Sequence, residues 1–172
     1  MRGMKNEQQR TGLRSFLLPL SVKDGLKNFV CLFTQSQVVE ILAPRFVSQI
    51  PGSPSYLAGV LLYHGSLLPV IDLDLLCRQQ LAPRVRYRQL VVVRTGVADP
   101  ETGAPLKAVV AAKDRVRIAT ILGTDLEESF AQLKAPLALS ESNLVRGCFQ
   151  HEDDAVTLFD LGPVVQGIYA AT

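Results

Sequence analysis

Two segments of this chain, GVLLYHGSLLPVIDL at 59–73 and GCFQHEDDAVTLFDL at 147–161, align without a gap at a separation of 88 positions. They share the opening glycine and the closing Asp-Leu pair, and six further positions are apolar in both. The polar differences fall mainly in the middle, where a β-hairpin would turn. A chance likeness of two apolar hairpins would give a similar alignment. A duplication instead predicts two related halves, each ending in a hairpin and an Asp-Leu step, and the repeat is too long for a solenoid unit.

The other apolar segments are short, mostly four to eight residues, and turn-forming residues separate them. They are rich in valine, isoleucine and leucine, which favours the strands of a small barrel or sandwich over helices. Asp24-Gly25 lies between two such segments and favours a tight hairpin turn, because both positions tolerate positive φ. The turn-forming residues at 96–105 predict an extended hairpin loop. The chain is therefore predicted to be all-β with minor helix.

Two short helices are compatible with this pattern. Asp72 is placed to cap the first, over 73–78, because its carboxylate can accept hydrogen bonds from free backbone N–H groups. Asp74 is then expected to be an exposed acid in the first turn. The second helix is predicted over 125–133, where three apolar residues follow one another at helical spacing.

The charge balance excludes several classes of partner. Eighteen Lys and Arg against sixteen Asp and Glu leave the 172 residues with a net charge of +2, too weak a field to attract nucleic acid or anionic lipid. No apolar stretch reaches the roughly 18–20 residues of a membrane helix. Cys31, Cys77 and Cys148 are odd in number and widely separated, which is typical of apolar residues in a reducing compartment. We therefore expect a cytoplasmic protein with no nucleic-acid partner and no direct membrane insertion.

Few residues offer catalytic chemistry. Of the two histidines, His64 lies in a predicted bend and His151 begins a His-Glu-Asp-Asp run in the second predicted hairpin turn. Adjacent side chains in a turn point in different directions, so this run is more typical of a solvated turn than of a metal site. Ser66 lacks the Gly-x-Ser-x-Gly environment of a hydrolase nucleophile, and no glycine-rich phosphate loop occurs. The sequence predicts no catalytic residue, no cofactor and no metal ion.

Arg84, Arg86 and Arg88 alternate with Val85 and Tyr87, so a strand here would place three guanidinium groups on one face. Such a face could contact RNA or an acidic protein surface, or it could be a solvated sheet edge protected by its charges. RNA-binding barrels also present aromatic rings for base stacking, and only 6% of this chain is aromatic. An RNA- or small-ligand-binding β-barrel that uses this strand is the alternative to a protein-binding role.

Residues 38–73 resemble the signature of the CheW family, the adaptor proteins of bacterial chemosensory arrays. The family pattern has Val-x-Glu-Ile, then Ile-Pro-x-x-Pro, then Gly-Val-x-x-x-Arg-Gly-x-x-x-Pro-Val-x-Asp-Leu. The residues that match at the same spacing are Val38, Glu40, Ile41, Ile50, Pro51, Pro54, Gly59, Val60, Gly65, Pro69, Val70, Asp72 and Leu73. Weaker similarity extends the likeness over roughly residues 14–168.

The resemblance implies one CheW-like domain over 13–168, made of two side-by-side five-stranded SH3-like β-barrel subdomains, between a flexible leader at 1–12 and a tail at 169–172. It also implies a non-enzymatic adaptor that couples a CheA-type histidine kinase to the cytoplasmic tips of chemoreceptors. The groove between the barrels is then the expected receptor site. The partner-binding residues that the resemblance implies are Val38, Glu40, Gly59, His64, Leu90 and Val91.

His64 departs from the family pattern, which usually has arginine at this position. Histidine cannot form the planar five-donor fork of a guanidinium group, and it is largely neutral at pH 7. Together with the arginine-rich segment at 84–88 and the loop at 96–105, this difference predicts a divergent adaptor. An alternative chemosensory system, such as one that controls type IV pili and twitching, is the expected setting.

Overall fold

The computed structural model describes residues 12–24, 27–78, 86–123 and 144–167. Within these ranges the short aliphatic runs form ten strands, and a short helix follows each Asp-Leu step. The strands are β1 (Leu13–Asp24), β2 (Lys27–Thr34), β3 (Val38–Leu42), β4 (Leu57–Tyr63), β5 (Ser66–Ile71), β6 (Gln89–Ala98), β7 (Pro105–Ala112), β8 (Arg117–Ile121), β9 (Val145–His151) and β10 (Asp154–Phe159). The helices are α1 (Leu73–Arg78) and α2 (Gly162–Val165). The prediction of an all-β chain with minor helix is confirmed.

The strands form two five-stranded sheets. The first sheet has the order β8-β1-β2-β10-β9, and the second has the order β3-β6-β7-β5-β4. Neighbouring strands are antiparallel, except that β2 and β10, and likewise β5 and β7, are parallel. Past the end of β3, Ser48 and Val60 exchange two backbone hydrogen bonds of 2.9 and 2.8 Å. This bridge joins the two edges of the second sheet and closes it in the manner of a small barrel.

Two hairpins have strand bounds that differ by the same 88 positions as the sequence repeat. The strands β4 and β5 span 57–63 and 66–71, while β9 and β10 span 145–151 and 154–159. Both hairpins have the same pairing register and the same irregularity, which comes just before Gly59 in one and Gly147 in the other. The first turn residues, His64 and Glu152, have positive φ angles of 47° and 53°. The two hairpins are therefore structurally equivalent, as a duplication predicts.

Each sheet combines strands from both halves of the chain. By place in the sheet order, the β1–β2 hairpin corresponds to β6–β7, and the unit β8–β10 corresponds to β3–β5. Each half of the chain is a hairpin followed by a three-strand unit: β1–β2 then β3–β5 in the first half, and β6–β7 then β8–β10 in the second. The hairpin of each half pairs with the three-strand unit of the other half. The second sheet still uses one continuous stretch, 38–112, whereas the first sheet combines 13–34 with 117–159.

Alternation along the strands sorts the apolar side chains into three clusters. On β2, Val30 faces the interior of the first sheet, whereas Phe29 and Phe33 face the core between the sheets. On β6, Leu90 faces the interior of the second sheet and Val91 faces the core between the sheets. Because the largest cluster draws on both sheets, the two subdomains are joined by a shared hydrophobic core.

The strand predicted for the arginine-rich segment is wrong for its described residues. Residues 86 to 88 lie outside regular structure, and β6 begins only at Gln89. The side chain of Tyr87 is half-buried and its hydroxyl donates a hydrogen bond to Asp72, whereas Arg86 and Arg88 on either side of it are exposed. Arg84 and Val85 lie outside the described residues. Arg86 and Arg88 are exposed without belonging to a strand, so the RNA-binding alternative, which needs a strand face with all three arginines, has no such strand over residues 86–88.

The loop predicted at 96–105 is shorter than expected. The strand β6 continues to Ala98 and β7 begins at Pro105, because the Asp99 carboxylate accepts hydrogen bonds from the N–H groups of Glu101 and Thr102 and tightens the turn. These hydrogen bonds lower the pKa of Asp99. The hairpin predicted around Asp24-Gly25 is present as β1–β2, while Gly25 itself and the helix predicted over 125–133 lie outside the described residues.

The three cysteines are buried as thiols, as predicted for apolar residues. Burial raises the pKa of the Cys31 thiol well above its usual value, and the nearby Cys77 acts in the same direction. The thiol form is therefore the one that packs in the core between the sheets.

Candidate partner-binding surface

The strand β3 and the β4–β5 hairpin bring Glu40, Tyr63 and His64 together. The Tyr63 hydroxyl donates a 2.7 Å hydrogen bond to Glu40 Oε2, and this bond raises the pKa of Tyr63. His64 Nε2 lies 3.9 Å from the same oxygen, and the His64 ring meets the Tyr63 ring edge-on at 4.3 Å. The side chains of His64 and Glu40 are 76% and 45% exposed. Two of the predicted partner-binding residues thus form one polar group that a partner can reach.

An exposed apolar pair flanks the turn that holds His64. Leu62 and Leu67 lie directly opposite each other on β4 and β5, and they are 65% and 67% exposed. Exposed apolar patches beside polar groups are typical of protein-binding surfaces. The sequence does not reveal this pair, because β4 is apolar at every position from Val60 to Tyr63 and alternation therefore does not mark the outward side chains. We call Glu40, Leu62, His64 and Leu67 the hairpin surface.

Gly59 serves the closure of the second sheet. Its φ angle is 145°, and a Cβ atom added to it would lie 2.2 Å from the carbonyl oxygen of Ser48. The resemblance suggested that Gly59 allows a close approach of backbones, and the backbone that approaches it here is the chain's own. Any side chain at this position would displace the strand-like contact between Ser48 and Val60.

Two aspartates at the start of α1 share one lysine. Lys113 Nζ lies 3.2 Å from Asp72 Oδ2 and 3.1 Å from Asp74 Oδ2, and the three side chains are 13%, 3% and 6% exposed. The predicted cap is confirmed, because Leu75 N donates to Asp72 Oδ1 at 3.2 Å. The Tyr87 hydroxyl donates a hydrogen bond to Asp72 Oδ2 at 3.2 Å. Burial is the main cause of the raised pKa of Tyr87, and the negative charge of Asp72 adds to it.

The prediction that Asp74 is an exposed first-turn acid is wrong. Its carboxylate accepts hydrogen bonds from the backbone N–H and the hydroxyl of Ser21, at 2.6 and 2.7 Å, and only 5% of the residue is exposed. Ser21 belongs to β1 in the first sheet, whereas Asp74 follows β5 of the second sheet. Asp74 is buried because it connects the two subdomains, with Lys113 as the counter-charge.

A groove of about 780 Å³ opens beside this charge cluster, between the segment 44–58 and the start of α1. Its apolar lining includes Val47, Ile50, Leu57, Leu75 and Leu90. Its charged lining is Arg45, Arg86, Asp72 and Lys113. We call it the α1 groove.

A sequence model of the CheW-like domain matches residues 26–168 of the chain. The chain belongs to the CheW-like family. Its fold is similar to the crystal structure of the scaffolding protein TtCheW from Thermoanaerobacter tengcongensis, with a TM-score of 0.62, 16% sequence identity, and coverage of 89% of this chain and 92% of that chain. No curated protein sequence matches the CheW-like chain.

Four of the predicted partner-binding residues do not belong to the hairpin surface of the CheW-like chain, and one of them is the buried Gly59 described above. Leu90 and Val91 are each 1% exposed, the first inside the second sheet and the second in the core between the sheets. Val38 is partly buried and packs against that same core. A direct contact between these residues and a partner stays a prediction.

The described part of the CheW-like chain offers no group of three or more His, Cys, Asp and Glu side chains placed to hold a metal ion. Among the helices within 12–24, 27–78, 86–123 and 144–167, none has the length and apolar character needed to cross a bilayer.

Proposed function

We propose that this CheW-like chain is a cytoplasmic, non-enzymatic adaptor that couples a CheA-type histidine kinase to the cytoplasmic tips of chemoreceptors. Membership of the CheW-like family and the likeness to a scaffolding protein support an adaptor role. The observation that carries the proposal is the exposed Leu62–Leu67 pair beside the Glu40–His64 group. Binding energy in protein interfaces is concentrated in a few apolar and hydrogen-bonding anchors, and this surface offers both.

The test compares single substitutions at the hairpin surface with a matched change elsewhere. Leu67→Asp and Glu40→Lys are expected to weaken binding to the kinase or to the receptor tip about tenfold or more, because each removes an anchor of the interface. Ile118→Asp is the control, since Ile118 is 58% exposed on β8 of the other sheet. Binding is measured by calorimetry with purified kinase and receptor fragments. Normal binding by both hairpin variants would disprove the assignment of this surface.

We propose further that the output is an alternative chemosensory system, such as one for type IV pili and twitching. The support is His64, which stands in place of the family's usual arginine and lies 3.9 Å from Glu40. An imidazole ring cannot form the bidentate contact of a guanidinium group, so the partner surface must differ at this point. Pull-down against both kinds of kinase tests this, and binding to a flagellar kinase alone would reject it.

A further inference from the structure

We propose that the α1 groove is a second protein-binding site, which takes an extended acidic peptide segment with aliphatic or aromatic anchor residues. This site shares no lining residue with the hairpin surface, although Arg45 lies near enough to act on the charge of Tyr63, and it adds a contact beyond those of the proposed adaptor role. The proposal depends on the shape of the groove, its apolar lining and the charges that remain unpaired there.

The shape and lining favour a peptide. A volume of about 780 Å³ lies within the usual range of ligand-binding clefts, about 300–1,000 Å³. Ile50 in the lining is 43% exposed, and the neighbouring Phe46 is 84% exposed. The groove is thus open to solvent along an accessible segment, whereas a small metabolite needs a site that encloses most of its surface. Peptide-binding grooves take apolar anchors in this way.

The acidic character of the ligand follows from the charges that remain after internal pairing. Lys113 is shared by two buried carboxylates, and the one negative charge in surplus is held by hydrogen bonds from Ser21, Tyr87 and Leu75. Arg45 and Arg86 also line the groove, are exposed, and make no ion pair with a described carboxylate.

Two exposed guanidinium groups beside an apolar lining match carboxylates that alternate with apolar side chains. Guanidinium groups bind carboxylates in bidentate pairs, which fixes both the charge and the orientation of the ligand. A basic segment would instead face two like charges, and a neutral one would leave them without partners.

The experiment is a selection of random twelve-residue peptides displayed on phage against the full chain. We expect enrichment of peptides with two or more Asp or Glu residues and at least one Leu, Ile or Phe. The strongest peptide is then synthesised and titrated against the variant Arg45→Glu/Arg86→Glu, which should lower its affinity about tenfold or more. The variant Ile50→Asp should weaken binding as well, since it places a carboxylate in the apolar lining.

The control variant is Arg14→Glu/Arg115→Glu, which changes the net charge equally at two exposed arginines outside the groove. The proposal is supported if this control binds the peptide like the unmodified chain. It is overturned if no acidic motif is enriched, if both double variants lose binding equally, or if Leu67→Asp abolishes peptide binding while the groove variants keep it. The variants concern exposed residues, and thermal unfolding confirms that each is folded.

Discussion

Removal of the lysine that the two α1 aspartates share should destabilise the protein strongly. In Lys113→Met the aliphatic part of the side chain is kept, but Asp72 and Asp74 remain buried, at 2% and 5% exposure, without the ammonium group 3.2 and 3.1 Å away. Breaking a buried ion pair from one side costs about 3–5 kcal/mol, because the charge left behind has lost both water and partner. For a domain of this size that corresponds to a fall of roughly 6–20 °C in Tm.

Chemical denaturation followed by circular dichroism measures this loss of stability. The control is Lys107→Met, which makes the same substitution on β7 at a partly exposed site outside the cluster. The double variant Lys113→Met/Asp74→Asn should recover part of the lost stability, since only one buried carboxylate then lacks its cation. If Lys113→Met unfolds within about 0.5 kcal/mol of the unmodified chain, the cluster does not hold the subdomains together.

Two further outcomes are expected. Gly59→Ala should lower the free energy of unfolding by about 1–3 kcal/mol or more, because φ is 145° and the new Cβ would lie 2.2 Å from Ser48 O. Gly52→Ala is the control, since Gly52 has a φ of 75° but open space around it, so this variant measures the backbone cost alone. Equal losses of stability in the two variants would contradict the steric argument. Burial acts to raise the pKa of Asp160, but hydrogen bonds from Arg146 and from Gly162 N outweigh it and lower that pKa. The stability that Asp160 contributes is thus present above the pKa of the unfolded state and is lost as the pH falls below about 4. Asp160→Asn should therefore weaken the fall of the unfolding free energy at acid pH, and an unchanged pH dependence there would refute this.

The fold was largely predictable because its signals are local. The hairpin turns, the aliphatic strands and the Asp72 cap each depend on residues a few positions apart, and the spacing of 88 appears directly in the strand bounds. The partner strands were not predictable, since nothing in the sequence of β2 says that it lies parallel to β10. Pairing of this kind is set by packing across long stretches of chain.

The site was predictable only in part. Glu40 and His64 were found through the resemblance, and the structure places them 3.9 Å apart. Leu90 and Val91 match the family as well, but burial in two different clusters separates them from the hairpin surface. The burial of Asp74 could not be foreseen, because its partners Ser21 and Lys113 are remote in sequence.

The exchange of strands between the halves sets the order in which the two sheets can fold during synthesis on the ribosome. The second sheet can form as soon as residues 38–112 have emerged, whereas β1 and β2 must wait for β8 to β10. At about 5–20 residues per second, translation from the end of β2 to the end of β10 takes roughly 6–25 s. During that interval Val30 and Leu32 of β2 lack the β9 and β10 side chains they pack against, so this hairpin is exposed to aggregation until β10 has emerged.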